Sequence, residues 1–210
     1  MGTKERRDRQ KQATRQRILD AARELFVKEG YEAVTMRKLA AAIEYSPTAI
    51  YFHFADKETL FRELCVQDFL AISHEFFPLA TIADPVARMR QLGQVYVRFA
   101  LAYPNHYRLM FMTPHPPIDS EQVGCHLGNP RDDGYAFLKL TVEEAMRQGR
   151  LRPELTDAEE LVQLLWGSLH GIIALQIIKG QDTVVPWRPL EALAERLMDI
   201  HLRALLREEA

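Results

Sequence analysis

The sequence has few of the features that define secreted or membrane proteins. Its 210 residues include only two cysteines, Cys65 and Cys125, which fits a reduced cytoplasm better than a disulfide framework. No continuous apolar run reaches the roughly 18 residues needed to span a bilayer. The charged N-terminus also lacks the apolar stretch of a secretory signal. These absences predict a cytoplasmic protein that has no membrane segment.

Motifs of common enzyme classes are missing as well. The chain contains no Gly-rich phosphate loop, no Gly-x-Ser-x-Gly elbow and no His-Glu-x-x-His string. Potential metal ligands and a thiol do gather around the proline-rich loop 113–130, namely His106, His115, Asp119, Cys125 and His126. Their spacings match no recurrent metal site, and nothing near Cys125 indicates a reactive sensor thiol. We therefore expect no metal, no cofactor and no enzymatic activity, with an all-α enzyme as a remote alternative.

Charge is distributed unevenly along the chain, although the net charge is only −2. Residues 1–17 hold seven Lys or Arg against two Asp or Glu. A basic end on an otherwise acidic protein indicates a polyanionic partner such as nucleic acid, or else a solvated tail. Charge alone leaves both interpretations open.

Apolar residues recur with the 3.6-residue helical period in almost every segment, and no stretch alternates like a strand. The pattern predicts an all-α fold. A first helix is expected from Thr14 to Glu29, with Gly30 ending it. Thr35 is expected to cap a short second helix, and Ser46-Pro47 a short third one. Two short helices joined by a tight turn, behind a longer supporting helix, form a helix-turn-helix pattern.

Longer helices are expected in the rest of the chain. Prolines and caps predict their bounds, which are Lys57 to about Phe76, Asp84-Pro85 to before Pro104, 104–112, Asn129-Pro130 to Gln148, a helix opened by a Thr156/Glu159 capping box, and a last helix after Pro189. These helices divide the chain into a basic flexible arm at 1–13, a helix-turn-helix domain at 14–61, and a larger helical domain at 62–210.

Residues 14–61 resemble the DNA-binding domain of the TetR family of bacterial one-component regulators. The resemblance rests on many positions at fixed spacing in the string TRQRILDAARELFVKEGYEAVTMRKLAAAIEYSPTAIYFHFADKETLF. One departure lies in the turn, where the family often has Ala-Gly-Val and this chain has Ile43-Glu44-Tyr45. Because glycine eases a positive φ, we expect either that Glu44 is strained there or that the turn differs slightly from the family's.

The resemblance implies a short third helix that enters the major groove of DNA. The expected contact residues are Thr35, Arg37, Ser46, Pro47, Thr48, Tyr51, His53 and Lys57. Thr48 and Pro47 suit base edges, and Arg37 suits a base or a phosphate. The residues suited to phosphates are Thr35, Tyr51, His53 and Lys57. Ile50 and Phe54 should be core. Tyr51 and His53 have packing roles as their alternatives, and Arg6, Arg7, Arg9 and Lys11 form either a minor-groove arm or a mobile tail.

The resemblance also implies that residues 62–210 bind an effector and form a homodimer on a near-palindromic operator. The strings WGSLHG and YPNHYRLMF resemble a C-terminal domain type named for its Trp-His-Gly signature. Candidate effector-pocket residues are polar groups among aromatics and methionine. They are Phe69, Ser73, Phe76, Tyr96, Phe99, Tyr107, Met110, Phe111, Trp166 and His170.

Two of the expected helices, 157–180 and 189–207, carry more apolar surface than a single helical bundle needs to bury. Candidate dimer contacts on them are Leu161, Leu165, Leu169, Ile172, Ile173, Leu193, Leu197 and Ile200. Some of these must instead belong to the internal core. The sequence thus predicts a dimeric repressor released from double-stranded DNA by a small, largely apolar effector. A DNA-binding regulator without an effector is the alternative.

Overall fold

The computed structural model describes residues 3–115 and 127–207. Within these ranges the chain is helical and contains no strand. The helices are α1 (Thr3–Glu29), α2 (Met36–Ala42), α3 (Pro47–Tyr51), α4 (Lys57–Phe76), α5 (Pro85–Ala102), α6 (Pro104–Met112), α7 (Gly134–Arg147), α8 (Ala158–Lys179) and α9 (Leu190–Leu205), with a 3₁₀ turn at Phe77–Thr81. The all-α fold predicted from the sequence is confirmed.

The chain forms two compact units. The described residues 3–68 and 105–115 belong to the first unit, and 69–104 and 127–207 belong to the second. α6 therefore groups with the N-terminal helices, which differs from the single boundary expected near residue 61. The core of the first unit is apolar and includes Ile18, Phe26, Leu39, Ile50, Phe54, Leu64 and Leu109.

α1 begins 11 residues earlier than the apolar periodicity predicts. The added residues, TKERRDRQKQA, are mostly good helix formers, but they contain no apolar repeat that would reveal a helix. The prediction of a flexible arm over residues 1–13 is therefore wrong for 3–13. Those residues form the first turns of a 27-residue helix.

The turn between α2 and α3 has the geometry of a helix C-terminal cap. The Tyr45 N–H donates to the Ala40 carbonyl at 2.8 Å, and the Glu44 N–H donates to the Ala41 carbonyl at 3.3 Å. This pair of bonds defines a Schellman motif, whose capping residue is usually glycine in the left-handed region. Glu44 occupies that position with φ of 59°. The positive φ expected at this position is confirmed.

Replacing Glu44 with glycine is expected to stabilise the first unit by about 1 kcal/mol, because glycine adopts this φ without a clash with Cβ. For a chain of this size the midpoint of thermal unfolding should rise by roughly 2–4 °C. Glu44→Ala is the matched control, since it removes the same carboxylate but keeps the Cβ. A scan in which both variants rise equally would assign the effect to charge and contradict the strain.

α5, α7, α8 and α9 pack against one another in the second unit. Gly93 of α5 lies against α9, where an added Cβ would come within 2.9 Å of Met198 Cγ. Two predicted helix starts are displaced. α7 begins at Gly134 behind an Asp133 cap, and Asp157, rather than Thr156, caps α8 by accepting the Glu159 and Glu160 N–H groups. In both cases an aspartate nearer the helix provides the better-placed acceptor.

α8 is long and apolar enough to cross a membrane when judged by length and composition alone. Residues 161–178 carry no Asp, Glu, Lys or Arg, so the sequence-based argument that no segment is apolar enough was wrong. The composition is equally typical of a helix that lies in a protein core or an interface. In this structure Leu161, Val162, Leu165, Leu169 and Ile173 of α8 are buried within the second unit.

Candidate nucleic-acid interface

α3 is a short helix that is held from behind and exposed in front. Ser46 caps it, with the Oγ accepting the Ala49 N–H at 3.2 Å, and Pro47 occupies the first turn. Ile50 and Phe54 are buried in the core of the first unit, as predicted. Pro47, Thr48 and Tyr51 are exposed on the outer side, and Tyr51 is 53% accessible. The arrangement presents a hydroxyl, a ring and a phenol at the helix surface.

The two α2 candidates, Thr35 and Arg37, are exposed at the start of that helix. Thr35 is its N-cap, and its Oγ1 accepts the Lys38 N–H at 3.2 Å. Its own O–H is left to donate to a phosphate oxygen. Both residues therefore remain suited to backbone contacts.

His53 is half-buried and less available than its position in the sequence indicates. Burial, together with the charges of Arg15 and Lys11, lowers the pKa of its imidazole. Its Nδ1 is buried and has no hydrogen-bond partner among the described residues. The lowered pKa favours a neutral imidazole in the protein without DNA.

Lys57 is partly engaged inside the first unit. Its Nζ donates to the Tyr31 carbonyl at 2.9 Å and lies 4.1 Å from the centroid of the Tyr31 ring. An ammonium has three N–H donors, so two remain for another acceptor. This contact fixes the first turn of α4 beside Tyr31.

Two residues around the end of α3, Phe52 and Arg15, were missed by the sequence reasoning. Phe52 is 73% accessible, and the Lys11 Nζ lies 5.4 Å from its ring centroid. Arg15 forms an ion pair with Glu63, donates to the His53 carbonyl and lies 4.1 Å over the Phe54 ring. The sequence did contain a signal for Phe52. Ile50 and Phe54 were expected to point inward, and a residue midway between two inward positions of a helix points outward.

Seven of the ten candidate effector residues lie in the second unit. Three of them meet through hydrogen bonds, because the Trp166 Nε1 donates to the Tyr96 Oη at 3.1 Å and that Oη lies 3.2 Å from the His170 Nδ1. Burial lowers the pKa of His170, which favours a neutral ring. The other four are Phe69, Ser73, Phe76 and Phe99. Ser73 is buried and donates to the Phe69 carbonyl at 2.8 Å.

The other three effector candidates, Tyr107, Met110 and Phe111, belong to α6 and therefore to the first unit. Tyr107 and Met110 are buried, and the Tyr107 and Phe111 rings lie 5.0 Å apart. The structure thus divides the ten residues between two units.

Half of the predicted dimer contacts are instead core residues of a single chain. Leu161, Leu165, Leu169 and Ile173 are all buried in the second unit, so assigning them to a surface between chains was wrong. α8 has a second apolar face that periodicity alone does not separate from the first. Its exposed apolar or small residues are Leu164, Gly167, Leu175 and Ile178, and the half-buried Gly171 lies between them on the same face. Ile172, Leu193 and Leu197 are half-buried and Ile200 is exposed.

No group of three or more His, Cys, Asp or Glu side chains in residues 3–115 and 127–207 is arranged to hold a metal ion. Asp119, Cys125 and His126, together with most of the loop 113–130, lie outside the described residues. Cys65 is buried in the first unit, and burial raises the pKa of its thiol to about 12. Cys65 is therefore a packing residue rather than a reactive thiol.

Comparison with known proteins adds two family matches. The sequence model described as "Bacterial regulatory proteins, tetR family" matches residues 18–64. A second model, described as "Tetracyclin repressor-like, C-terminal domain", matches residues 89–201. The resemblance to a Trp-His-Gly type of C-terminal domain is not among these matches and stays a prediction.

Individual proteins agree with these matches. The transcriptional regulator UidR of Escherichia coli K12 is 39% identical over 168 residues, covering 78% of this chain and 81% of UidR. The repressor AcnR of Corynebacterium glutamicum is 47% identical over 55 residues, or 26% of this chain and 29% of AcnR. The structure of the TetR family regulator PfmR of Thermus thermophilus superposes with a TM-score of 0.70 at 22% identity, covering 91% of this chain and 97% of PfmR.

Proposed function

The chain belongs to the TetR family of bacterial regulatory proteins and is a DNA-binding transcriptional regulator, and from this premise we propose that it is a homodimeric repressor. A small, largely apolar effector would release it from its operator. The observation that carries the proposal is α3, which is capped by Ser46, anchored by Ile50 and Phe54, and exposed at Pro47, Thr48 and Tyr51. An operator would be read by two copies of α3 in successive major grooves, about 34–36 Å apart.

Selection of duplexes from a random pool by the purified protein tests DNA recognition. The proposal expects an inverted repeat whose half-sites are centred about 10 base pairs apart, because a two-fold dimer places its α3 helices one DNA turn apart. A pool that converges on no sequence would contradict operator recognition.

Replacing Tyr51 with alanine is expected to weaken operator binding roughly ten-fold or more, since each chain loses an exposed group suited to the DNA backbone. Stability should hardly change because the ring is half exposed and outside the core. Tyr103→Ala is the matched control, since Tyr103 is 49% accessible and belongs to the second unit. Unchanged affinity in the Tyr51 variant, measured by fluorescence anisotropy, would show that α3 does not face the operator.

The proposed dimer uses the exposed stripe of α8 together with α9. Gly167 and Gly171 have open space where a Cβ would stand, and Leu164, Leu175 and Ile178 extend the same side. An uncharged stripe with small residues at its centre permits two helices to approach closely. We propose that a second copy of this chain covers the stripe, because a dimer with two-fold symmetry would also present two α3 helices to an inverted repeat.

The effector proposal rests on the Tyr96, Trp166 and His170 cluster in the second unit. Their partly buried polar groups lie among aromatic rings, which is the composition of sites for small apolar ligands with one or two hydrogen-bonding groups. A compound that binds the folded protein raises its thermal midpoint. If the compound prefers the released state, it lowers the affinity for the operator, and the operator lowers the affinity for the compound by the same factor. A regulator without an effector would show neither change across a panel of such compounds.

A further inference from the structure

The N-terminal turns of α1 extend beyond the core of the first unit. All side chains from residue 4 to residue 13 are exposed, and none of them belongs to a large apolar residue. The first buried residue of the helix is Ile18. These turns therefore contribute charge rather than packing to the protein.

The basic residues of this extension are divided between two sides of the helix. Lys4, Arg7 and Lys11 are spaced three and four residues apart, so they share one face. Continuing at the same spacing leads to Arg15 and Ile18, where the face enters the core. Arg6 and Arg9 lie on the opposite side. One basic stripe thus continues the inward face of α1 past the point where the core ends.

The stripe begins beside the end of α3. The Lys11 Nζ lies 5.4 Å from the ring centroid of Phe52, the residue that follows α3. Arg15, one turn further inward, is bound to Glu63 and to the His53 carbonyl. Lys11 therefore lies between Arg15, which is bound within the protein, and the exposed Lys4 and Arg7 nearer the start of the helix.

Because residues 4–13 form a helix, they do not enter the minor groove in the way that a flexible basic arm would. An α-helix with side chains is about 10–12 Å wide, whereas the minor groove is about 6 Å wide. The backbone phosphates are the remaining anionic surface. Lys4 to Lys11 spans seven residues, or about 10 Å of helix, which equals about three base-pair steps of 3.4 Å.

We propose that Lys4, Arg7 and Lys11 form a phosphate-binding strip that grips the DNA backbone beside each operator half-site. This inference rests on the proposed operator recognition by α3 and adds a second contact region to it. Because phosphates are the same in every sequence, the strip raises affinity and its salt dependence without reading bases. It extends the footprint of each chain beyond the bases that α3 reaches.

The test compares two double variants that remove equal charge from the same turns. K4Q/R7Q removes two residues of the strip, and R6Q/R9Q removes two from the opposite side of the helix. Glutamine keeps helix propensity close to that of lysine and arginine, and circular dichroism of each variant checks that α1 is retained. Anisotropy titrations on an operator duplex and a scrambled duplex, over a series of salt concentrations, give the slope of log affinity against log salt.

Losing two contacts in each chain of a dimer should reduce the slope for K4Q/R7Q by roughly 3 to 4 and its affinity roughly ten-fold or more. The ratio of operator to scrambled affinity should stay constant, and R6Q/R9Q should change the slope by less than half as much. Equal effects of the two double variants would show that only the number of charges matters, which would overturn the strip. No effect of either double variant would overturn it as well. If the wild type itself does not distinguish the operator, operator recognition fails first and the strip with it.

Discussion

Replacing Asp68 with alanine is expected to lower the free energy of unfolding of the first unit by roughly 3–5 kcal/mol, because it leaves the buried Arg23 guanidinium without its buried counter-charge. The two side chains are only 7% and 1% accessible. Arg23 donates to both carboxylate oxygens, from Nε at 3.1 Å and from the terminal nitrogen at 2.7 Å. His106 Nδ1 of α6 lies 2.9 Å from the same carboxylate.

The pKa of Arg23 also indicates that its charge depends on Asp68. Burial by itself lowers the pKa of the guanidinium, but the hydrogen bonds and charges of Asp68 and Asp20 outweigh it and raise the pKa above its ordinary value. Asp68 of α4 thus links α1, through Arg23, to α6, through His106, in the unit that also holds α3. Its loss should weaken DNA binding through unfolding rather than through a lost contact.

Asp20→Ala provides the matched control for Asp68→Ala. Asp20 also binds Arg23, at 3.1 Å, but its side chain is more than half exposed. Its removal should cost less than about 1 kcal/mol. Replacing both partners, as R23M/D68L, should recover most of the stability, since two apolar side chains leave no buried charge. A double variant as unstable as Asp68→Ala in chemical denaturation would contradict the explanation by an unpaired charge.

The second large effect is expected from Leu175→Arg in the exposed stripe of α8. Leu175 is 55% accessible in a single chain and is one turn from Gly171. A guanidinium there would be buried without a partner at the two-fold contact proposed, and the chain should become monomeric. Losing the second α3 of the dimer should weaken operator binding by roughly 10² to 10⁴-fold.

Leu140→Arg on α7 is the control, because it places the same charge at another half-exposed leucine of the second unit. That variant should remain dimeric and keep its affinity for the operator. Analytical ultracentrifugation gives the oligomeric state of each variant, and anisotropy gives the affinity. A Leu175→Arg protein that remains dimeric would place the subunit contact elsewhere.

Local signals in the sequence were sufficient for most helix bounds. Ser46-Pro47 and Asp84-Pro85 each place a capping side chain before a proline at the first helical position, and both predicted starts are confirmed. The positive φ of Glu44 was predictable for the same reason, because related sequences often have glycine at this position of the turn. Such features depend on a few neighbours in the chain, which a sequence displays directly.

Features that depend on distant packing were not predictable in the same way. The start of α1 was missed because its first turns bury nothing and show no apolar period. Leu165 and Leu175 both suit an apolar helix face, yet only the packed structure shows that Leu165 is buried and Leu175 exposed. Arg23 and Asp68 are 45 residues apart, and no local pattern indicates that they meet.

Fluorescence anisotropy on DNA from the region upstream of the protein's own gene tests the central claim most directly. A scrambled duplex of equal length is the control, at low and near-physiological salt. We expect a complex with the upstream DNA that survives at the higher salt, contains two chains per site, and is much weaker on the scrambled duplex. Equal binding to both duplexes that disappears as salt rises would leave only electrostatic attraction and contradict operator recognition.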